Sequence, residues 1–195
     1  FYFRMLLGNL VLLFIFGVIY YLERHARQFK VLATYDTLTG IFNRREFDRI
    51  VAEEFERSSR YNRPMSVILM DIDHFTLVTD TYGHQAGDVA LKGLAKFIQG
   101  HIRRHDFFAR WGGEEFAILA TETTAAEAAQ LAEKLRIQLQ QQRFGSVGQI
   151  TVSFGVAQID ESVETFGALF KQVDEALYQA KEAGRNRVQV YGVSL

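Results

Sequence analysis

Beyond residue 35 the chain alternates between two hydrophobic rhythms. Residues 44–61 carry Phe47, Ile50, Val51 and Phe55 among charges, the spacing of one helix face, and Pro64 stops that helix. MSVILMDID at 65–73 is an aliphatic run closing on two carboxylates, which reads as a buried strand. Helical spacing returns over 86–102 through Val89, Leu91, Leu94, Ala95 and Ile98. Two short strands, 107–111 and 115–120, join through Gly112-Gly113, a hairpin signal. Residues 124–142, rich in Ala, Glu and Gln, predict a helix starting at Thr123 or Thr124, with Glu127 placed to complete a cap. The stretch 149–157 alternates as a strand, 165–183 is a helix ended by Gly184, and 188–191 reads as a last edge strand. The core order βαββαβ predicts an α/β (α+β) domain of the ferredoxin-like kind, an antiparallel sheet with helices on one face.

The first 35 residues follow a different pattern. MLLGNLVLLFIFGVIYYL at 5–22 has no charged residue. At about 1.5 Å per residue it approaches the roughly 30 Å of a bilayer core. Tyr20 and Tyr21 stand at the position of an interfacial belt, and Arg24, Arg27 and Lys30 follow, placing that side in the cytoplasm. A signal-peptide core or a buried helix are the alternatives, and ERHARQFK is a poor cleavage site. The reading is one transmembrane helix over 1–22, a helical connector over 23–35 and a catalytic domain over 36–195. The chain opens on Phe1, and a preceding sensor region in a longer protein is expected.

Composition narrows the chemistry. A hydrophobic share of 48% with 23% charged residues fits a core-forming chain. A net charge of -1 supplies no bulk positive field for nucleic acid, so none is expected as a partner. There is no Cys, and the five His residues do not fall at zinc-ligand spacing. No GxxxxGK[ST] is present, so this is not a P-loop enzyme.

In a βαββαβ sheet the first and third strands lie side by side and antiparallel. Asp71 and Asp73 then meet Gly112-Gly113-Glu114-Glu115 at one edge. Four converging carboxylates repel unless a cation sits among them, and oxygen donors of this kind suit Mg²⁺ or Mn²⁺. Each motif taken alone is a strand end or an ordinary turn; together they point to metal-assisted phosphoryl chemistry. Lys181 and Arg185, four apart at a helix end, could clamp phosphates, or could only complement the helix dipole.

These motifs resemble the GGDEF family of diguanylate cyclases in a fixed order. They are Asp36-Thr37-Leu38-Thr39-Gly40, Asn43-Arg44-Arg45, Asp71-Ile72-Asp73-His74-Phe75, Asp80-Thr81-Tyr82-Gly83-His84, Gly87-Asp88, Ala109 through Phe116, Val152 through Val156, Asp174 through Lys181, and Gly184-Arg185-Asn186. The resemblance implies the palm-like fold of nucleotide cyclases and polymerases. It implies condensation of two GTP into cyclic di-GMP, with release of pyrophosphate, between two domains facing each other as a homodimer. Asp71, the Ile72 carbonyl and Glu114 are the implied metal ligands for Mg²⁺ or Mn²⁺, and Glu115 is implied to activate the ribose 3′-hydroxyl. Gly112 and Gly113 would lie against the nucleotide, Asp88 and position 79 would read guanine, and His74 and Phe75 would offer backbone amides. Lys181 and Arg185 would hold phosphates. Arg103 and Asp106 match an RxxD inhibitory site for cyclic di-GMP, with Lys134 as a further basic contributor. With the apolar N-terminal run, this implies a bacterial inner-membrane protein with its catalytic domain in the cytoplasm.

Two positions depart from that pattern. Thr76 stands where a Lys is common, and Thr79 where an Asn normally helps to read guanine. A hydroxyl makes fewer directed bonds than a carboxamide. A degenerate domain that senses GTP or cyclic di-GMP, or a cyclase with broadened base choice, are the alternatives.

Overall fold

The computed structural model describes residues 15–22, 24, 32–159, 163 and 165–193. At its centre lies β2 (Met65–Ile72), with all eight residues buried. A strand apolar at successive positions, rather than alternate ones, is covered on both faces. Its antiparallel neighbours are β4 (Glu115–Thr121) and β5 (Val152–Gln158). Beyond β4 lies β3 (Phe107–Arg110), also antiparallel, and then β1 (Phe42–Asn43), paired parallel with β3. On the other side β6 (Val188–Val190) pairs parallel with β5. The order is β1-β3-β4-β2-β5-β6. The expected antiparallel core is present, and parallel edge strands make the whole sheet mixed.

Helices cover both faces of this sheet, which corrects the one-faced layer expected from the motif order. On one face α3 (His84–Gln99) and α4 (Ala125–Leu139) pack Leu94, Ile98, Leu135 and Leu139 against Ile68, Met70, Ile118 and Phe154. On the other, α1 (Arg44–Tyr61) and α5 (Phe166–Glu182) pack Phe47, Val51, Val173 and Leu177 against Val67, Leu69, Ala117 and Leu119. The aliphatic run of β2 supplies alternate side chains to the two layers, and so requires both.

Local chemistry sets the helix ends. Asn43 caps α1 by accepting from Glu46 N, and Asn62 ends it in the left-handed region at φ 49°. Of the two expected starts of α4, Thr124 is the one used, in a reciprocal capping box with Glu127. Two elements escape the sequence pattern. One is β1. The other is α2 (Phe75–Tyr82), whose eight residues include Val78 and three Thr, Thr76, Thr79 and Thr81, with no side-chain cap at His74. So short a helix, rich in β-branched residues, shows no readable period.

The N-terminal expectations are only partly covered. Residues 15–22 are helical and exposed, with Phe16, Tyr20 and Leu22 more than half accessible. No helix among the described residues is long and apolar enough to cross a membrane, and residues 1–14 of the expected span lie outside them. Of the 23–35 connector, 24 and 32–34 are described as helical, and Tyr35 bridges to Phe42 and stacks on it at 5.4 Å.

Helix α5 approaches the sheet most closely at Gly155. A Cβ there would lie 2.4 Å from both Leu177 N and Val173 O, backbone atoms that cannot rotate away. Gly155→Ala is expected to lower stability by about 1–3 kcal/mol or more, because α5 must be lifted off β5. A urea unfolding midpoint equal to that of the wild type would contradict this packing.

Candidate active site

The β2–β4 register sets Asp71 opposite Glu115. Between β3 and β4 the chain turns through Gly112 and Gly113. Trp111 N and Gly112 N both donate to Glu115 O, at 2.8 and 3.2 Å, and Ile72 N donates to Glu114 O at 3.4 Å. A Cβ on Gly112 would stand 2.7 Å from Glu115 Oε2, so glycine leaves room for that carboxylate. Nothing lies within 4 Å of a Cβ on Gly113, which faces open space.

Helix α5 completes this edge. Its last turn brings Lys181 Nζ to 2.8 Å from Asp71 Oδ2. Burial pushes the Asp71 carboxyl up to about 6; Lys181 pulls against it, and Glu114 and Glu115 add to the rise. The ammonium therefore offsets only part of the cost of burying this carboxylate beside two others.

Asp73 does not join them. It is 5% exposed and accepts from Thr151 Oγ1 at 2.7 Å, Ser153 Oγ at 2.6 Å and Asn186 N at 3.1 Å. Of four carboxylates expected to converge, three share the edge and Asp73 is spent on internal bonds, because β2 ends at Ile72 and Asp73 lies past its ladder. Among the described residues no three His, Cys, Asp or Glu side chains are grouped so that they could hold a metal ion by themselves. A half-open set of acids around a raised carboxyl nonetheless fits a hard divalent cation that completes its shell with water and phosphate oxygens.

The other residues singled out in the sequence fall into three places. His74 adopts φ 57° and leads into α2, so the first-turn amides from Phe75 onward start directly beyond the acids with no side chain capping them. Helix α2 meets α3 where a Cβ on Gly87 would lie 2.8 Å from Thr79 Cγ2, and Asp88 follows on the exposed side. The Thr79 hydroxyl donates to Thr76 O at 2.9 Å, within its own helix. Arg185, at φ 60°, lies half-buried just beyond α5, with Nη1 3.5 Å from Lys181 O.

Arg103, Asp106 and Lys134 come together elsewhere, lining a cavity of about 390 Å³ with His101, Glu127 and Gln130. Asp106 accepts from Arg103 N at 3.0 Å through Oδ2, while its buried Oδ1 has no partner. Burial raises this carboxyl above the usual range, against the pull of Arg103 and His105.

Two supports of the Gly112–Gly113 turn carried no assigned role in the sequence. Arg110 donates to Gly113 O through Nε at 3.1 Å and Nη2 at 2.7 Å, while Nη1 reaches both oxygens of Asp36 at 3.2 and 3.3 Å. One guanidinium thus ties the turn after the connector to the acidic hairpin. Trp111 is held between the Arg44 guanidinium at 4.1 Å and the Phe170 ring at 3.9 Å. The signal was present, since Arg110 and Trp111 directly precede the glycines, but the reach of Arg110 to Asp36 and of Trp111 to Arg44 on α1 and Phe170 on α5 is visible only in the fold.

The raised Asp71 pKa has a consequence for stability. The folded value of about 6 lies above the ordinary 3.8, so this group's contribution is complete below about pH 4 and is lost as pH rises through about 6. With divalent cations chelated, Asp71→Asn is expected to gain melting temperature relative to wild type from about pH 4 to about pH 7. A difference that stays constant over that interval would contradict the burial of an ionised Asp71.

Comparisons with known proteins identify the family of this fold. The profile of the family described as "Diguanylate cyclase, GGDEF domain" matches residues 33–187. The probable diguanylate cyclase DgcC of Escherichia coli is 36% identical over 171 residues, 87% of this chain and 46% of that protein. The response regulator PleD of Caulobacter vibrioides is 35% identical over 173 residues, 86% of this chain and 38% of that protein. The chain thus spans about half the length, or less, of such relatives. The coiled coil and GGDEF domain of DgcB from Caulobacter crescentus, solved in complex with c-di-GMP, superposes with a TM-score of 0.82 at 31% identity, covering 89% of this chain and 94% of that one. The active GGEEF domain of a diguanylate cyclase from Vibrio cholerae gives 0.75 at 37% identity, covering 78% and 98%. By the family match over residues 33–187 and by these relatives, the chain belongs to the GGDEF diguanylate cyclase domain family.

Proposed function

We propose that this chain is an active diguanylate cyclase, condensing two GTP into cyclic di-GMP and releasing two pyrophosphates where two copies face each other. The observation that carries this reading is Asp71 held against Glu114 and Glu115 with Lys181 at 2.8 Å. A single domain offers one such edge, so joining two nucleotides requires a second copy.

Each residue takes a role its position supports. Asp71, the Ile72 carbonyl and Glu114 would hold the divalent ion, Mg²⁺ or Mn²⁺. When bound, that ion neutralises charge on the phosphates and acidifies the attacking hydroxyl. Glu115, its carboxylate lying over Gly112, takes the proton of the ribose 3′-hydroxyl. Gly112 and Gly113 let the nucleotide lie close to the backbone. The α2 amides from His74–Phe75 meet phosphate oxygens, as do Lys181 and Arg185. Asp88 accepts from the guanine edge beside Thr79.

The cavity of Arg103, Asp106 and Lys134 fits the product as an inhibitor. An unpartnered buried carboxylate oxygen beside exposed basic groups matches a guanine edge and a phosphate. The exposed apolar helix of 15–22 continues the apolar run of 5–14, and the two together anchor the chain in the bacterial inner membrane with the catalytic domain in the cytoplasm.

One observation favours a second reading. With its hydroxyl proton given to Thr76 O, Thr79 can accept from the base but has no proton left to donate to it, which fits a nucleotide sensor without turnover or a cyclase of broadened base choice.

The chain incubated with GTP and Mg²⁺ is expected to yield cyclic di-GMP and pyrophosphate, with Glu114→Ala reducing the rate by roughly a hundredfold or more. GTP binding without product would favour the sensor. Asp106→Ala is expected to raise the concentration of cyclic di-GMP needed for half-inhibition by roughly tenfold, at an unchanged initial rate. Unaltered inhibition would place the product elsewhere.

A further inference from the structure

Asp73 belongs to the same DID motif as Asp71, yet none of its bonds reaches toward the acidic hairpin. Its Oδ1 accepts from Ser153 Oγ at 2.6 Å, and its Oδ2 from Thr151 Oγ1 at 2.7 Å and Asn186 N at 3.1 Å. The last of these crosses from the end of β2 to the turn that follows α5. That turn is unusual in its backbone. Gly184, Arg185 and Asn186 have φ of 110°, 60° and 45°, three successive residues in the left-handed range, two of them not glycine. An isolated chain disfavours that conformation, so surrounding bonds must hold it.

Those bonds come from three directions. Arg185 N donates to Ala180 O at 3.1 Å, closing the end of α5. The Asn186 side chain is held by Arg136 Nη1 at 3.0 Å and by Gln140 at 3.1 Å, both from the α4 side. Asp73 supplies the bond from the β2 side, to the amide immediately after Arg185. Lys181, on the preceding turn of α5, is held by Asp71 through its side chain. The two carboxylates of DID therefore grip two points of one basic segment. Asp71 takes the side-chain nitrogen of Lys181, and Asp73 takes the backbone beside Arg185.

We propose that Asp73 is a positioning residue, which fixes the 184–186 turn so that Arg185 and Lys181 present their charges together to the triphosphate. This rests on the cyclase reading above and adds to it a role distinct from metal ligation. A carboxylate that acts only by accepting hydrogen bonds can be replaced by an isosteric amide, whose oxygen at the Oδ2 position still accepts from Asn186 N and Thr151 Oγ1, while the Ser153 hydroxyl at the Oδ1 position can rotate to accept from its NH₂ group. A metal ligand loses its charge in the same replacement.

The test compares four proteins by steady-state cyclic di-GMP synthesis with GTP and Mg²⁺: wild type, Asp73→Ala, Asp73→Asn and Ser153→Ala. Asp73→Ala is expected to raise KM for GTP by about tenfold with kcat little changed. Asp73→Asn is expected to restore most of that KM. Ser153→Ala removes one bond to the same carboxylate but leaves Asn186 N paired, so its melting temperature falls and its KM does not rise. If Asp73→Ala does not fold, the amide variant decides alone: near-wild-type kcat and KM support positioning, and a collapse of kcat overturns it in favour of a ligand. An unchanged KM in folded Asp73→Ala, or a KM raised equally in Ser153→Ala, also overturns it. A wild type that turns over no GTP would instead refute the cyclase reading, and the role given to Asp73 with it.

Discussion

Backbone hydrogen bonds hold β2 between β4 and β5, with Met65 facing Thr121 at one end and Asp71 facing Glu115 at the other. Most of the molecule depends on that register. Side chains alternate along a strand, so a slip of one residue would carry Ile68 and Met70 to the layer that Val67 and Leu69 now occupy, and would part Asp71 from the acidic hairpin. The two hydrophobic layers, each under its own pair of helices, penalise any such slip. Packing along the whole of β2 therefore fixes the position of a few charged atoms at its end.

The site itself is costly to hold, and its surroundings answer that cost locally. Burial, with Glu114 and Glu115 adding to it, leaves Asp71 with a carboxyl raised to about 6 despite an ammonium at 2.8 Å. The turn that presents Glu114 and Glu115 is steadied by Arg110 from below and by Trp111, which lies between Arg44 and Phe170. Arg110 also binds Asp36, which follows directly on the connector. The chain segment that enters the domain and the hairpin that carries the acids thus share one guanidinium.

The sequence disclosed what depends on local pattern and on motif order. The aliphatic run before DID, the Gly-Gly turn and the Thr124–Glu127 cap each announce their element from neighbouring residues alone. Asp71, Glu114 and Glu115 could be brought to one edge because topology and motif agreed, whereas the pairing of Lys181 with Asp71 shows only in the fold. What stayed hidden depends on partners distant in sequence. Asp73 looks like a second metal acid until Thr151, Ser153 and Asn186 are seen to occupy its oxygens. The second helical layer was implicit in the unbroken hydrophobicity of β2, but the motif order alone drew one layer. Helix α2 was too short and too β-branched to show a period.

The claim that most needs a direct test is that the Asp71 edge is where metal and nucleotide meet. Mn²⁺ binding followed by electron paramagnetic resonance, with a non-hydrolysable GTP analogue present, addresses it without requiring turnover. The account predicts a protein-bound Mn²⁺ signal, dependent on the nucleotide, that is lost in Asp71→Asn and in Glu114→Gln but kept in Asp73→Asn. A signal indifferent to Asp71 and Glu114, or one abolished by Asp73→Asn, would contradict it.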